Sequence, residues 1–258
     1  MKIAILGAGR MGAWLTEELC WHHDVMVYDS DLSKLKYFIK VHRALAIEEF
    51  RDFKPELCIN CVPLGYTLDA FDKVLPYVPE TCAISDIASV KTGFKEYYQA
   101  SGRPFVSSHP MFGPTLANIR DLREESAIII SESSPEGIAF FREFYSGLNI
   151  RIFEYSFEEH DKTVAYSLAT PFASSMVFAA CMKKQHAPGT NFKRHLSVAK
   201  GLLSEDDRLL TEIMFNPYTI RQLELINSKL AYLTHIIRQK DYEEMKKFLD
   251  SLRANIGE

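Results

Sequence analysis

The sequence has no positive charge to spare. Its 30 Lys and Arg stand against 34 Asp and Glu, a formal net charge of −4 over 258 residues, and the basic residues are scattered. Nucleic acids and other polyanions are bound by basic stripes or patches, so neither is an expected partner. Cysteine is scarce as well: Cys20, Cys58, Cys61, Cys82 and Cys181, an odd number without the spacing of a disulfide framework. That usage favours a reducing compartment, the cytoplasm. Cys58 and Cys61 do form a Cys-x-x-Cys, but inside "LCINCV", which reads as a strand whose positions i and i+3 point to opposite faces. No metal site is expected. Long apolar runs are missing too. The longest, "YSLATPFASSMVFAACM" at 166–182, carries Ser, Thr and Pro. It falls short of the ~20 residues of a membrane span and reads as a buried helix. Nor is there room for a targeting segment, because "MKIAILG" goes straight from Met1 into an apolar strand.

What the chain does have is alternation. With 47% hydrophobic residues it can bury a full core, as one large domain or two smaller ones. Up to about residue 155, short β-branched runs ("KIAIL", "DVMVY", "LCINCV", "CAISDI", "PFVSS", "SAIII", "NIRIFE") alternate with helical patterns. This argues for an α/β fold, a Rossmann-like and mostly parallel sheet with crossover helices. Beyond 156 only helical periods remain, so an all-helical C-terminal domain is expected over 156–258 after a dinucleotide-binding domain over 1–155. "SFEE" at 156–159 is a capping box, Ser156 as N-cap with Glu159 reaching back. A long helix should start there and run to about 184, with Pro171 kinking it. It is apolar on nearly every face from Val164 to Met182, which calls for burial against more than one neighbour: a homodimer core, or a large bundle within the chain. Segments 206–214, 217–237 and 241–255 also read as helices.

The first strand leads into "GAGRMG". Gly7, Gly9 and Gly12, directly after a strand and at the head of a helix, form the dinucleotide fingerprint, with Ala8, Arg10 and Met11 completing the loop. Gly7 permits the tight turn, Gly9 lets backbone approach a pyrophosphate, and Gly12 allows close helix–sheet packing. The helix N-terminus favours negative charge. Asp29 ends the second strand, where an acid accepts from ribose hydroxyls. That favours NAD over NADP, although Lys34 and Lys36 are close enough to leave the point open. Val62 and Pro63, in "CVPLGYT" at 61–67, are either apolar walls for the nucleoside or plain turn residues.

Three stretches should converge on the reacting end: "DIASVKTGF" (86–94), "SSHPMFGPT" (107–115) and "FEEHDKTVAYS" (157–167). Pro110 disfavours the α region for His109 and holds it extended, and Gly113-Pro114 turns the chain away. An imidazole of pKa ~6.5 suits a general base. Ser89 reads as the N-cap of a helix beginning at Val90, as a hydrogen-bond partner of that base or of the reacting hydroxyl, or as both. Lys91 reads as a solvated or anion-facing charge. His160 lies in the first turn of the long helix, where the dipole keeps it neutral. His160, Thr163, Val164, Ser167 and Pro171 share one stripe at helical spacing, expected to face the cleft.

Taken together, the glycine fingerprint, "SVK", "HPMFGP", "EHD" and the late "NPYTIRQLEL" resemble the prephenate dehydrogenases of tyrosine biosynthesis, in order and spacing across nearly the whole chain. The resemblance implies NAD-dependent oxidative decarboxylation of prephenate to 4-hydroxyphenylpyruvate, in a dimer built on the helical domain. It implies His109 as hydrogen-bond acceptor from the ring hydroxyl, with Ser89 as its partner. It further implies His160 as a substrate ligand, Arg221 as the partner of a substrate carboxylate and Arg120 as a second anion contact. Arogenate dehydrogenase is the nearest rival. A non-catalytic NAD-binding sensor is a third reading, with no use for such a set of residues.

Overall fold

The computed structural model describes residues 1–113, 118, 120–183 and 186–257. Among these, eight strands form one sheet: β1 (Lys2–Leu6), β2 (Asp24–Tyr28), β3 (His42–Arg43), β4 (Leu57–Asn60), β5 (Ala83–Asp86), β6 (Phe105–Pro110), β7 (Ser126–Ile130) and β8 (Arg151–Tyr155). Their order is β3-β2-β1-β4-β5-β6-β7-β8, parallel throughout except for the β6–β7 pair. The expected Rossmann-like sheet is present. Its interleaved helices are α1 (Arg10–Leu19), α2 (Phe50–Phe53), α3 (Thr67–Val74), α4 (Phe94–Ser101) and α5 (Pro135–Gly147).

The strands are apolar at nearly every position because both faces are covered. In β1, Ile3 and Ile5 join a core with Leu15, Val27, Ile59, Phe141 and Tyr145 on one face. Ala4 and Leu6 join Phe50, Phe71, Ile84 and Tyr98 on the other. Strand order reverses between β1 and β4, so the crevice outside their carboxyl ends is where such a sheet binds a ligand.

After Tyr155 every element is a helix: α6 (Phe157–Val164), α7 (Thr170–Cys181), α8 (Thr190–Leu202), α9 (Asp207–Met214), α10 (Thr219–Gln239) and α11 (Tyr242–Ile256). The capping box forms as expected, the Glu159 amide donating to Ser156 Oγ at 3.2 Å and the Ser156 amide to Glu159 Oε2 at 2.8 Å. The interruption expected at Pro171 is a π segment, Ala165–Ala169, joining α6 to α7. Proline has no N–H to give, and a π turn just ahead of it accommodates that loss. The extra residue also rotates α7 relative to α6. The predicted stripe therefore breaks: His160 and Val164 are buried while Ser167 and Pro171 are not.

Two other expectations need correction. The apolar helix does not fall short of a span: Phe157–Cys181 is 25 residues, long and apolar enough by length and composition to cross a membrane. Nor is it buried within the chain, since only 22% of its most apolar stretch is covered. The chain's own α8 and α10 pack against α7 on part of its surface and leave the rest open. Helix α8, "TNFKRHLSVAKGL" with Ala199 and Leu202 buried, is an element beyond the helices expected from the sequence.

Candidate active site

A cavity of about 1190 Å³ opens at the β1/β4 crevice, lined by Gly7, Gly9, Arg10, Met11, Asp29, Val62 and Pro63 among others. Each glycine of the fingerprint has a distinct reason. Gly7 has φ +93°, and a Cβ there would meet Cys61 and Val62 backbone at 3.0 Å. A Cβ on Gly12 would lie 1.9 Å from the Gly7 carbonyl oxygen. Gly9 differs, with nothing within 4 Å, so its backbone borders open space. It is the N-cap of α1, with no side-chain cap and no acid in the first turn, which leaves the helix N–H groups facing the cavity. This cradle fits a pyrophosphate.

Asp29 is buried at the end of β2. Its Oδ2 accepts from the Ala8 amide at 2.8 Å and its Oδ1 from the Asp31 amide at 2.8 Å. Lys34 Nζ lies 3.3 Å from Oδ2. Val62 and Pro63 line the cavity, and the Val62 amide donates to Asn60 Oδ1 at 3.2 Å within the turn.

The far wall comes from the helical part, a contribution the sequence did not reveal. Ser204, Glu205, Asp206, Leu209 and Glu212 line the same cavity. Glu212 Oε1 accepts from the Gly65 amide at 2.7 Å, and the Arg208 guanidinium stacks 4.3 Å from the Tyr66 ring. Helix α9 is thereby pinned across the mouth, with Arg10 and Glu205 4.0 Å apart.

Beyond the cavity, β5, β6 and α6 bring a polar cluster into the core. His109, 5% exposed, is extended within β6 and paired opposite Ile128 of β7. Its pose thus rests on two strands as well as on Pro110; Pro114, the second half of the predicted turn, lies outside the described residues. His109 Nδ1 is 2.9 Å from Nε2 of His160, which has no exposure at all. His160 Nδ1 is 2.9 Å from Asp161 Oδ1. Asp161 Oδ1 also accepts from the Lys91 amide at 2.7 Å, and Oδ2 from the Thr92 hydroxyl at 2.8 Å. Asn216 Nδ2 donates to the Asp161 carbonyl at 2.9 Å. His109 Nε2 makes no hydrogen bond among the described residues.

Burial, then the neighbouring His160 and the Lys91 cation, push His109 well below the ordinary imidazole range. Burial lowers His160 too, against the pull of Asp161. Both rings are neutral near pH 7.

Lys91 is not a solvated charge. It is 1% exposed, its ammonium paired with Asp86 and donating to the Ser108 carbonyl at 2.7 Å. Asp86 Oδ1 accepts from Tyr98 Oη at 2.6 Å. Burial lowers the Lys91 pKa, while Asp86 and Asp161 act to raise it. A buried ammonium survives there because the Asp86 carboxylate and the Ser108 carbonyl both accept from it.

Ser89 is neither the N-cap nor the partner of His109. Helix α4 starts at Phe94 with Gly93 as N-cap, because Val90 and Lys91 are drawn into the core first. The Ser89 hydroxyl makes no hydrogen bond among the described residues, and His109 Nδ1 is taken by His160. His160 itself is sealed from solvent with both nitrogens engaged, which does not suit a substrate ligand. Ser167 donates back to the Thr163 carbonyl at 2.8 Å and is exposed. Arg221, in the first turn of α10, and Arg120 are both exposed.

Asp86 and Asp161 were missed as site residues. The available signal was a carboxylate at the end of an apolar strand and another directly after a core histidine, each needing a buried partner.

The family model for the nucleotide-binding domain of prephenate dehydrogenase matches residues 16–153. A probable arogenate/prephenate dehydrogenase of Methanocaldococcus jannaschii is 22% identical over all of this chain, which spans 61% of that relative. The T-protein of Enterobacter agglomerans is 23% identical over 62% of this chain and is matched over 44% of its own length. The chain therefore spans less than two thirds of these curated relatives. Among solved structures, prephenate dehydrogenase from A. aeolicus in complex with hydroxyphenyl propionate and NAD+ superposes with a TM-score of 0.85 at 17% identity, covering 99% of this chain and 96% of that one. Synechocystis arogenate dehydrogenase gives 0.77 at 19% identity over 99% and 98%. With more than half of its length matched by the family model and the same fold throughout, this chain belongs to the prephenate dehydrogenase family.

Proposed function

We propose that the chain catalyses NAD-dependent oxidative decarboxylation of prephenate to 4-hydroxyphenylpyruvate. One observation carries this reading. A buried neutral His109 keeps Nε2 without a partner among the described residues at the carboxyl edge of the sheet, and Gly113, four residues on, lines the dinucleotide cavity. The ligands of the A. aeolicus structure support it.

Gly7, Ala8, Gly9, Gly12 and the start of α1, with Arg10 and Met11 beside them, hold the pyrophosphate of NAD, while Asp29 takes the ribose hydroxyls. NAD, when bound, supplies the hydride acceptor. His109 Nε2 accepts the proton of the ring hydroxyl, so that the carbon bearing it can give up its hydrogen with the bonding pair. The ring carboxylate leaves as CO₂, and its bonding pair completes the aromatic ring. Arg221, and Arg120 as a second contact, face the substrate carboxylates, for which a planar guanidinium is well shaped. Positioning by these groups is the protein's main contribution.

A second copy of the chain covers the open face of the helical part. Tyr166, Val177, Val198, Ile220 and Leu230 are exposed there, more apolar surface than scattered residues account for. Sedimentation equilibrium should return a dimer mass. The five cysteines, all unpaired, fit a reducing cytoplasm.

Steady-state rates with prephenate and arogenate, each with NAD and with NADP, test the proposal. Turnover of prephenate with NAD at the highest kcat/KM is expected. A strong preference for arogenate would reassign the substrate, and NAD binding without turnover of either would make the chain a sensor.

A further inference from the structure

The contacts behind His109 are more specific than packing requires. A neutral imidazole has one donor nitrogen and one acceptor nitrogen, and its neighbours decide which is which. Asp161 begins the chain of decisions. Its Oδ1 receives the Lys91 amide at 2.7 Å and its Oδ2 the Thr92 hydroxyl at 2.8 Å. With both oxygens receiving protons, the carboxylate has none to give, so His160 Nδ1 at 2.9 Å must carry the hydrogen of that contact. Nε2 of His160 is then a lone pair. At 2.9 Å from it, His109 Nδ1 must be the donor, and His109 Nε2 is left bare.

The competing arrangement makes His160 an imidazolium that donates to both sides. That would place a cation where there is no exposure, beside the buried ammonium of Lys91. Desolvation opposes it.

We propose that Asp161 is a positioning residue which, through His160, holds His109 as the Nδ1–H tautomer. This rests on His109 being the proton acceptor of the reaction. The opposite tautomer would set an N–H donor where an acceptor is required. The same relay serves the next moment: once His109 Nε2 has taken the proton, the imidazolium keeps its Nδ1–H bond to His160, whose Nδ1–H still points to a carboxylate. Neither His160 nor Asp161 needs to touch the substrate.

The test is ¹⁵N-histidine labelling of the full chain at about pH 8, where imidazoles are neutral. Signals are assigned with His109→Asn and His160→Asn. Protonated Nδ1 and bare Nε2 are expected in both rings, and a protonated His109 Nε2 overturns the proposal. Asp161→Ala should mix the His109 tautomers and lower kcat by about 10²-fold or more, with NAD affinity unchanged. Asp161→Asn keeps an acceptor oxygen and should retain the tautomer and more of the rate. A folded Asp161→Ala protein with wild-type kcat also overturns it, and if that variant does not fold, the wild-type spectrum decides. Should the wild type turn over neither prephenate nor arogenate, the functional reading falls, while the spectrum still judges the relay.

Discussion

His109 and His160 meet nitrogen to nitrogen, Nδ1 to Nε2 at 2.9 Å, although 51 residues separate them and one is on a strand, the other on a helix. The contact ties the sheet to the helical part.

Replacing His109 with Asn removes the bare Nε2 and leaves the cavity untouched. Turnover should fall by about 10²–10⁴-fold, the usual worth of a positioned base. The dissociation constant for NAD, measured by fluorescence titration, should stay within about twofold, a change of less than 1 kcal/mol. An unchanged kcat would remove His109 from the chemistry.

Two depressed histidines should shape the acid side of the pH profile. Folded His109 and His160 titrate below the ordinary 6.5, so between the folded and unfolded values the unfolded chain binds more protons. The stability they contribute is fully present above about 6.5 and is lost as pH falls toward the folded values. Urea melts should show the loss below about pH 6.5, reduced in His109→Asn. The acid limb of kcat/KM should likewise lie below about 6.5. An acid limb above neutrality would contradict the assignment.

Two glycine substitutions should separate folding from binding. Gly12→Ala puts a methyl group 1.9 Å from the Gly7 carbonyl, so the loop must move, costing about 1–3 kcal/mol of stability and the dinucleotide site with it. Gly9→Ala meets nothing within 4 Å in the free protein. Its melting temperature should barely change, while NAD affinity drops about tenfold, near 1.4 kcal/mol, because the methyl group occupies space the pyrophosphate needs. Equal melting temperatures for the two variants would undercut this account of the loop.

Lys91→Met leaves Asp86 as a buried carboxylate without its cation and the Ser108 carbonyl without a donor. Removing one partner of such a pair costs about 3–5 kcal/mol. Denaturant unfolding of the full chain measures it. A loss under about 1 kcal/mol would mean that Lys91 is solvated after all.

Much of the nucleotide half was legible in the chain. Apolar runs buried on both faces, the glycine spacing and the capping box at Ser156 are local patterns, each written in a few consecutive residues and each found where expected. Asp29 belongs with them, since its position at a strand end is set by the same short unit. Ser89 shows the limit: by local preference it starts a helix, yet Val90 and Lys91 are pulled into the core and the helix waits until Phe94.

The sequence by itself determined a Rossmann-like sheet, its dinucleotide loop, the helical second half and His109 as the residue to watch. Only the tertiary structure decided what stands behind His109, that Lys91 is buried, and that α9 closes the far wall of the cavity. The physical reason is range. Turns, caps and hydrophobic periods are settled between residues a few positions apart. A buried donor or acceptor takes whichever partner the packed elements bring within hydrogen-bond distance, and those partners come from 51 residues away for His109 and 70 for Lys91.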